Sequence, residues 1–414
     1  MRILFVSPYV PSPIRVRPYY WIKNLAALGH HISLFAITRG RDDEKALDEM
    51  RRVCARVTVA RMPAWRPLWN CVRALPTRDP LQLAWSRLPE LAREIRAHAE
   101  PSRADVAHVE HLRAACFAPE LANLPIVYDA VDSISSLFEQ TRVAGPRIAD
   151  RWLAALDLPR TVRFEAGVSG RFDRVLVSSP VDAVRLHELA AGTARAWPVV
   201  LTNPVDLEYF RPTSGARDPA TVIYSGKMSY HANVAAVRHL TKEVMPRVWR
   251  HRADVKVIVA GQEPDRSVCR LARDSRIAVT GFVPDLRPLL ARATIAVCPL
   301  PYGAGVQNKV LEAMASGLPV VAGRRATQAL QAEPGRDLRV ADSPDDFANE
   351  ILALLGAPAE RERLAVCGRA YVEAHHDGLT LARRLAGVYD EVASGGRSVR
   401  SVPTPPSRAS GPER

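Results

Sequence analysis

Residues 301–321 read PYGAGVQNKVLEAMASGLPVV, a glycine-containing turn that runs into a helical pattern and then into an apolar strand. Gly303 and Gly305 let backbone N–H groups approach a negative ligand closely, and the positive end of the following helix points at that ligand. Lys309 in the first helical turn adds a mobile positive charge, and the Glu312 carboxylate can accept hydrogen bonds from two neighbouring hydroxyls, as on a ribose. Diphosphate and ribose together describe a nucleotide.

Spacing alone leaves a second interpretation of this stretch open. An ordinary strand–turn–helix unit would use the small residues Ala313, Ala315 and Gly317 for close packing and would bind nothing. A nucleotide site and a packing unit are equally compatible with the spacing, so the choice between them rests on a resemblance.

The phrase LEAMASGLPVV, Leu311 to Val321, resembles the donor-site motif of the large retaining glycosyltransferase family called group one, or family four. The family commonly has two glutamates separated by seven residues; the second matches Glu312, and the first would fall on Ala304. This departure puts the contact with the transferred sugar in doubt. The phrase NKVLEAMA is similar to that of members linked to bacterial exopolysaccharide synthesis. The resemblance implies donor-binding roles, and for the last two also catalytic roles, for Gly303, Gly305, Val306, Asn308, Lys309 and Glu312.

The size and composition of the chain indicate a two-domain protein. Its 414 residues exceed a usual single core, so two domains of roughly 200 residues are expected. No apolar run approaches the roughly 20 residues that span a bilayer. The opening MRILFVSPYV is interpreted as a buried strand rather than a signal peptide. The six cysteines lack a C-x-x-C pair, which indicates neither a zinc site nor a disulfide framework and fits a reducing cytosol.

The charge of the chain favours acidic partners. A net charge of +13 and a pI near 9.8 suit nucleotide sugars, anionic lipid or nucleic acid, although a high-GC genome would also enrich arginine without any function. From Arg51 to Arg78 arginines occur without any acid and alternate with Trp65, Leu68 and Trp69. This mixture is typical of either a membrane interface or a solvated face. No recognition-helix or RNA-binding signature supports nucleic acid.

Alternating strand-like and helical runs predict parallel sheets with helices on both faces. In the first half the strands are expected in RILFVS, HISLFAI, RVTVAR, ADVAHVE, PIVYDAV and RVLVSS. The pattern restarts with TVIYSG, a helix over about 232–249, and the strands VKVIVAG, IAVTG, IAVCPL and PVVAG. Between the halves, NPVDLEYFRP is similar to the phrase N-G-V-D-x-x-x-F-x-P that joins the two domains in the family, with Pro204 in place of glycine. The resemblance covers about residues 1–393.

The predicted fold class is α/β of the GT-B type, two Rossmann-like doubly wound parallel-sheet domains facing across a cleft, as the resemblance implies. We expect an acceptor domain over 1–202, a linker over 203–219 and a nucleotide-sugar donor domain over 220–374. The resemblance also implies that a helix at about 375–393 packs back on the first domain. The Pro-, Ser- and Arg-rich tail 394–414 is expected to be disordered.

Further donor contacts are carried over from the family phrases. In YSGKMSYHAN, Gly226 and Lys227 match the family's G-R-L phrase, so Lys227 is expected to neutralise the leaving diphosphate, or else it faces solvent after a strand. Lys309 is expected to replace the second lysine usual in the family. GFVPDL resembles the base-binding loop, so the backbone of Phe282 and Val283 is expected to read the nucleobase edge, or both residues belong to the core.

The first domain supplies candidates for the acceptor and sugar side. AHVEHLR places His108, Glu110 and His111 after a strand, where the family often shows an H-x-H pattern near the sugar. Glu110 is expected to bind a sugar hydroxyl or the acceptor, whereas the histidines either join it or cap the strand end. Arg15 and Arg17 follow the first strand and either grip phosphate or are exposed.

No D-x-D pair follows a strand, and Asp129 and Asp132, three apart, give little support to a metal site. We therefore expect no metal and no cofactor, the nucleotide sugar being a co-substrate.

The sequence thus predicts a cytoplasmic, metal-independent, retaining glycosyltransferase that moves a sugar from a nucleotide-sugar donor to a glycan or lipid-linked acceptor in bacterial exopolysaccharide or cell-surface glycan synthesis. The hypothesis includes peripheral contact of the Arg51–Arg78 region with the inner face of the membrane. Nucleic acid is not expected as a partner. Two rivals stay open: a non-hydrolysing sugar-nucleotide epimerase with the same fold, and a non-catalytic binding protein, which Ala304 supports. A nicotinamide dehydrogenase is disfavoured because no glycine follows the first strand before Gly29.

Overall fold

Two parallel sheets organise the protein, one in each half of the chain. The structure, a computed structural model, describes residues 1–40, 43–100, 102–145, 148–192, 196–213, 215–303 and 305–395. The first sheet has seven strands, β1 to β7, at Arg2–Ser7, His31–Thr38, Arg56–Arg61, Val106–Glu110, Ile126–Val131, Arg174–Val177 and Val199–Val200. The second has six, β8 to β13, at Thr221–Ser225, Lys256–Ala260, Ile277–Gly281, Ile295–Cys298, Val320–Ala322 and Arg339–Val340.

The strand orders are those of doubly wound sheets. They run β3-β2-β1-β4-β5-β6-β7 and β10-β9-β8-β11-β12-β13, and every strand pair is parallel. In both sheets the order reverses beside the first strand, which opens a crevice at the carboxyl ends of the strands. The predicted GT-B fold class is confirmed. The two-residue strands β7 and β13 were not predicted, because two residues carry no periodic pattern.

Helices cover both faces of each sheet. In the first half, α1 to α10 lie at Val16–Ala27, Glu44–Val53, Arg66–Ala74, Leu81–Trp85, Pro89–His98, His111–Ala114, Ile134–Ala144, Ile148–Ala166, Val168–Arg171 and Pro180–Leu189. In the second half, α11 to α19 lie at His231–His239, Met245–Trp249, Arg266–Cys269, Arg287–Arg292, Asn308–Ala315, Arg324–Thr327, Pro344–Gly356, Pro358–His376 and Gly378–Ser394. Short 3₁₀ turns occupy Ala115–Leu121 and Arg270–Arg273, and a π turn at Leu240–Val244 joins α11 to α12.

The last helix, α19, packs on the first domain although the donor domain precedes it in the chain. Leu381, Leu385 and Tyr389 are buried in the same cluster as Trp21 of α1 and Phe5 of β1. The chain crosses back to the first domain beside the linker, where Val205 N–H donates to the carbonyl of His376 just before α19. The tail prediction falls on residues 396–414, which lie outside the described part of the chain.

Candidate active site between the two domains

The glycine turn lies between β11 and α15, at the carboxyl edge of the second sheet. Gly305 has φ +72°, in the left-handed region that favours glycine, and both Gly303 and Gly305 are buried. Helix α15 begins at Asn308, so its amino-terminal N–H groups face the same point. Ala304, the position of the family's first glutamate, lies outside the described residues.

The first domain contacts this turn directly. A β-carbon at Gly305 would overlap the carboxylate of Asp132, which follows β5, and the N–H of Gly303 donates to Oε1 of Gln140 at 3.3 Å. Ser178 donates to Oδ1 of Asp132 at 2.7 Å. Burial, with the charge of the neighbouring Asp182, raises the pKa of Asp132 to about 7. Near neutral pH this carboxyl is therefore partly protonated, and in that form it can donate a hydrogen bond to a ligand oxygen.

A second contact crosses the cleft through two amides. Asn203 donates from Nδ2 to Oδ1 of Asn308 at 2.9 Å, and its own Oδ1 accepts from Arg17 at 3.0 Å. Asn308 opens α15, so this pair holds the start of the donor helix against the first domain.

Lys309 is held rather than mobile. Its ammonium donates to Oδ1 of Asn233 at 2.7 Å and to the hydroxyl of Tyr224 at 3.2 Å, and burial lowers its pKa. A β-carbon at Gly226 would lie 2.9 Å from Nδ2 of Asn233 and 3.2 Å from Cε of Lys309. Gly226 is therefore required for this packing, which gives that glycine a structural role besides the donor contact predicted for it.

Glu312 lies one turn after Lys309 on the same helix face. Burial raises the pKa of Glu312 to about 7, and the positive charge of Lys309 partly opposes that rise. Burial also raises the pKa of Tyr20 in α1, with Asp206 and Glu312 adding to the effect. The Glu312 carboxylate is thus close to Tyr20 of the first domain, across the cleft.

The remaining donor-side candidates are more exposed. The ammonium of Lys227 makes an ion pair with Glu263 at 3.2 Å, and the Lys227 side chain is 44% exposed. Phe282 is 64% exposed, which rules out the core alternative for this residue, and Val283 is partly buried. Both follow β10 at the carboxyl edge of the sheet, as a base-binding loop would.

On the first-domain side, His108 and Glu110 are fully buried at the end of β4. His108 stacks on Phe5 at 4.2 Å, and its Nδ1 lies 2.8 Å from the hydroxyl of Tyr389 on α19. Burial lowers the pKa of His108 to about 4, so its ring is neutral. Burial and the adjacent Asp129 raise the pKa of Glu110, and neither of its oxygens has a hydrogen-bond partner among the described residues.

The expectation that Arg17 either grips phosphate or is exposed is wrong. Arg17 is buried, and it donates to both oxygens of Asp129 at 2.8 and 3.0 Å and to the carbonyl of Leu201 at 2.7 Å. With these donors occupied, Arg17 is not available to a ligand. Arg15 is partly exposed, 3.6 Å from Asp43, and its guanidinium lies 4.7 Å from the ring centre of Tyr9.

One cluster has the geometry for a metal. Ligand atoms of His108, Glu110 and Asp129 lie within 4.8 Å of one another. The Arg17 guanidinium already holds both oxygens of Asp129, so a cation would have to displace a bidentate ion pair. Asp129 belongs to β5.

Several residues of the cleft are missing from the donor site that the sequence predicts, where Asp132 is considered only as a weak metal ligand. Asp132, Gln140, Asn203, Tyr224 and Asn233 come from five separate segments, and only the fold brings them to the cleft. A polar residue directly after a buried strand, as Asp132 is after β5, is the one signal that could have pointed to the site.

This fold, with its cleft between two doubly wound domains, defines a GT-B protein. HepE from Anabaena, solved with UDP and glucose, superposes with a TM-score of 0.68 at 16% identity, over 94% of this chain and 100% of that one. Sucrose-phosphate synthase from Thermosynechococcus elongatus gives a TM-score of 0.69 at 17% identity, over 95% and 99%. None of the described helices has the length and apolar character to span a membrane.

The sequence of the second domain resembles one family of GT-B proteins. Residues 219–357 match the family model described as Glycosyl transferases group 1. A GDP-mannose-dependent monoacylated α-(1-6)-phosphatidylinositol monomannoside mannosyltransferase of Corynebacterium glutamicum is 30% identical over 158 residues, 35% of this chain. The match spans 42% of that relative's length. The second domain is thus similar to group 1 glycosyltransferases, and the whole chain has the GT-B fold.

Proposed function

We propose that the protein transfers a sugar from a nucleotide-sugar donor to a glycan or lipid-linked acceptor. The observation that carries the proposal is the glycine turn at the start of α15, which faces the first domain across the cleft at Asp132 and Gln140. The names of the relatives support a nucleotide-sugar donor: one uses GDP-mannose, and another was solved with UDP.

In this proposal the donor diphosphate binds the N–H groups of the turn, and the Glu312 carboxylate accepts hydrogen bonds from the ribose. Lys227 leaves its exposed partner Glu263 to neutralise the leaving group, as an ion pair in solvent is easily exchanged. The bond between the sugar's anomeric carbon and the phosphate oxygen breaks, and the electron pair leaves with the diphosphate. The acceptor oxygen bonds to that carbon on the same face, and its proton passes to a phosphate oxygen, so the configuration is retained.

We propose that the reaction needs no metal. Two cations supply the charge that the leaving diphosphate requires: Lys227, two residues after β8, and Lys309, in the first turn of α15. The cluster of His108, Glu110 and Asp129 is neutralised from within by Arg17 and is therefore a poor cation site.

We also propose that the enzyme works at the inner face of a membrane in exopolysaccharide or cell-surface glycan synthesis, and an exposed apolar surface supports this. One face of α3, with the residues that flank the helix on either side, exposes Trp65, Leu68, Trp69, Val72 and Leu75. One face of α8 is exposed at Ile148, Trp152, Leu153 and Leu156. Contiguous apolar surface of this kind is unusual on a monomer, and tryptophan among arginines is typical of membrane interfaces.

The guanidinium of Arg160 links α8 to the end of α3. Arg160 of α8 donates to the carbonyl of Leu75 at 2.8 Å and to that of Leu156 at 2.9 Å. Exposed side chains at the end of α3 and in the middle of α8 therefore lie near one another, so the apolar surface that we propose for membrane contact extends beyond Arg51–Arg78.

A transfer assay tests the proposal. Radiolabelled nucleotide sugars are incubated with the protein, EDTA and a bacterial lipid and glycan extract, and the label is followed by chromatography. We expect label to move into the glycan or lipid fraction, and Glu312→Gln to reduce the rate at least tenfold. Conversion of the sugar while it stays on the nucleotide would instead identify an epimerase. Nucleotide binding without any turnover would identify a binding protein.

A further inference from the structure

A cavity of about 590 Å³ lies at the carboxyl ends of β2 and β3 in the first domain. Arg39 follows β2 and Arg61 ends β3, and both line the cavity together with Trp85 and parts of the segment 62–67. Ligands of open parallel sheets bind beyond the carboxyl ends of the strands, so the cavity lies on the functional edge of the first sheet. Its volume is in the range of small-molecule sites.

The polar side chains that line this cavity, Arg39, Arg61 and Trp85, are all donors, and they have no hydrogen-bond acceptor among the described residues. The guanidinium groups of Arg39 and Arg61 make no ion pair or side-chain hydrogen bond there. The buried Nε1–H of Trp85 likewise has no acceptor, and the Arg39 guanidinium lies 5.9 Å from the Trp85 ring centre. A buried indole N–H usually finds a partner, and no carboxylate lines the cavity.

Positive charge continues from the cavity toward the candidate acceptor residues. Burial lowers the pKa of both Arg15 and Arg113, and the nearby charge of Arg39 contributes to each shift. Arg15 stacks on Tyr9, and the charge of Glu110 adds to the rise that burial imposes on the pKa of Tyr9. Arg39 is thus close to Arg15, and Arg15 contacts Tyr9, which is close to Glu110.

We infer that this cavity binds a phosphate or diphosphate group of the acceptor, so that the acceptor is a phosphate-bearing glycan or lipid. The inference rests on the proposed transfer, because it assigns a chemical class to the acceptor of that reaction. Guanidinium groups match phosphate oxygens two at a time, and the indole N–H of Trp85 supplies a further donor. Arg39 and Arg61 are exposed to solvent, and a phosphate gives them a counter-charge that a neutral saccharide cannot supply.

The cavity wall also leads to the apolar surface of α3. Pro63, Ala64 and Pro67 line the cavity, and Trp65 between them is 62% exposed at the start of the α3 face. A phosphate on a lipid carrier would therefore sit in the cavity while its hydrocarbon chain follows that face. A phosphate on a water-soluble glycan would use the cavity alone.

Calorimetric titration with inorganic pyrophosphate, with the donor site first saturated by nucleoside diphosphate, tests the cavity. We expect a binding event that persists with the nucleotide present and weakens at least tenfold in Arg39→Gln/Arg61→Gln. Arg266→Gln/Arg273→Gln removes the same charge from exposed positions of the second domain, and we expect this control variant to bind pyrophosphate as the wild type does. Binding that the nucleotide abolishes, or that the cavity variant retains, overturns the inference. If no nucleotide binds at all, the proposed function fails, while the pyrophosphate titration still tests the cavity.

Vesicles separate the two sources of phosphate. Neutral phosphatidylcholine vesicles with and without a few per cent of a polyprenyl phosphate are sedimented with the protein. Retention that depends on the polyprenyl phosphate and is lost in both Arg39→Gln/Arg61→Gln and Trp65→Ala/Trp69→Ala supports a lipid-linked acceptor. Pyrophosphate binding without such retention supports a soluble phosphorylated glycan. Retention that the cavity variant keeps counts against the inference.

Discussion

Asp132 of the first domain lies so close to Gly305 of the second that a β-carbon at position 305 would overlap both oxygens of the Asp132 carboxylate. Val131 has φ +67°, unusual for a β-branched residue, and this strained bend directs Asp132 into the cleft. The contact joins the predicted diphosphate turn to the end of β5. Donor binding and closure of the two domains therefore depend on the same few atoms.

Gly305→Ala is expected to abolish the close contact between residue 305 and the Asp132 carboxylate. The substitution places a β-carbon in the Asp132 carboxylate and imposes φ +72° on alanine, at a cost of about 1 kcal/mol for the backbone alone. Gly335→Ala is the matched control, since Gly335 has φ +83° with nothing within 4 Å. We expect similar losses of stability from the backbone, but loss of nucleotide-sugar binding only in Gly305→Ala. Equal binding in the two variants would contradict the role of the turn.

Glu312→Gln should separate stability from function. Because burial raises the pKa of Glu312 from 4.5 to about 7, the folded protein holds a proton that the unfolded chain releases. Ionisation of Glu312 therefore destabilises the fold progressively as pH rises from about 4.5 to about 7, by about 3 kcal/mol in total. Glu312→Gln should match the wild type in stability at pH 4.5 and exceed it at pH 8, as measured by urea unfolding.

Glu312→Gln should also lower the affinity for the nucleotide-sugar donor at the higher pH. An ionised Glu312 accepts two ribose hydrogen bonds, whereas the amide of glutamine offers one acceptor. We expect donor affinity of the wild type to rise with pH through about 7 and the affinity of Glu312→Gln to vary less. An identical pH profile in the two proteins would remove Glu312 from the site.

The two candidate lysines should behave differently. Lys309→Met removes a buried ammonium that binds Asn233 and Tyr224, so we expect a loss of about 1–3 kcal/mol in the free energy of unfolding. Lys227→Met removes an ion pair exposed to solvent and should change stability by less than about 1 kcal/mol. Only the second variant should lose donor affinity without losing stability. Unchanged affinity in Lys227→Met would refute its contact with the diphosphate.

Arg17→Met tests the buried ion pair. Loss of the guanidinium leaves Asp129 buried without a counter-charge beside Glu110, and we expect destabilisation of about 3–5 kcal/mol. Arg15→Met, which breaks a partly exposed contact with Asp43, should cost less than about 1 kcal/mol. If Arg17→Met folds with wild-type stability and instead binds donor weakly, Arg17 is a ligand-binding residue after all.

The fold could be predicted wherever local pattern reflects burial. The central strands β1, β4, β5, β8 and β11 are buried on both faces and appear in the sequence as predominantly apolar runs, which β4 and β5 interrupt with His108, Glu110 and Asp129. The short edge strands β7 and β13 carry too few residues for any pattern.

The candidate site could be predicted only where one short segment carries it. Gly303, Lys309 and Glu312 lie within ten residues of chain, so a motif reveals them. Asp132 reaches Gly305 through packing of the two domains, which no local pattern encodes. Arg17 was misjudged because its partner Asp129 lies 112 residues away, and the sequence does not show that the two are buried together.

Calorimetric titration of the purified protein with UDP-, GDP-, ADP- and dTDP-sugars in EDTA tests the central claim most directly, because it asks whether the turn and α15 bind a nucleotide sugar without metal. We expect saturable binding of one nucleotide class, lost or weakened at least tenfold in Gly305→Ala and Glu312→Gln. No binding of any of the four classes, or equal binding by both variants, would contradict the account.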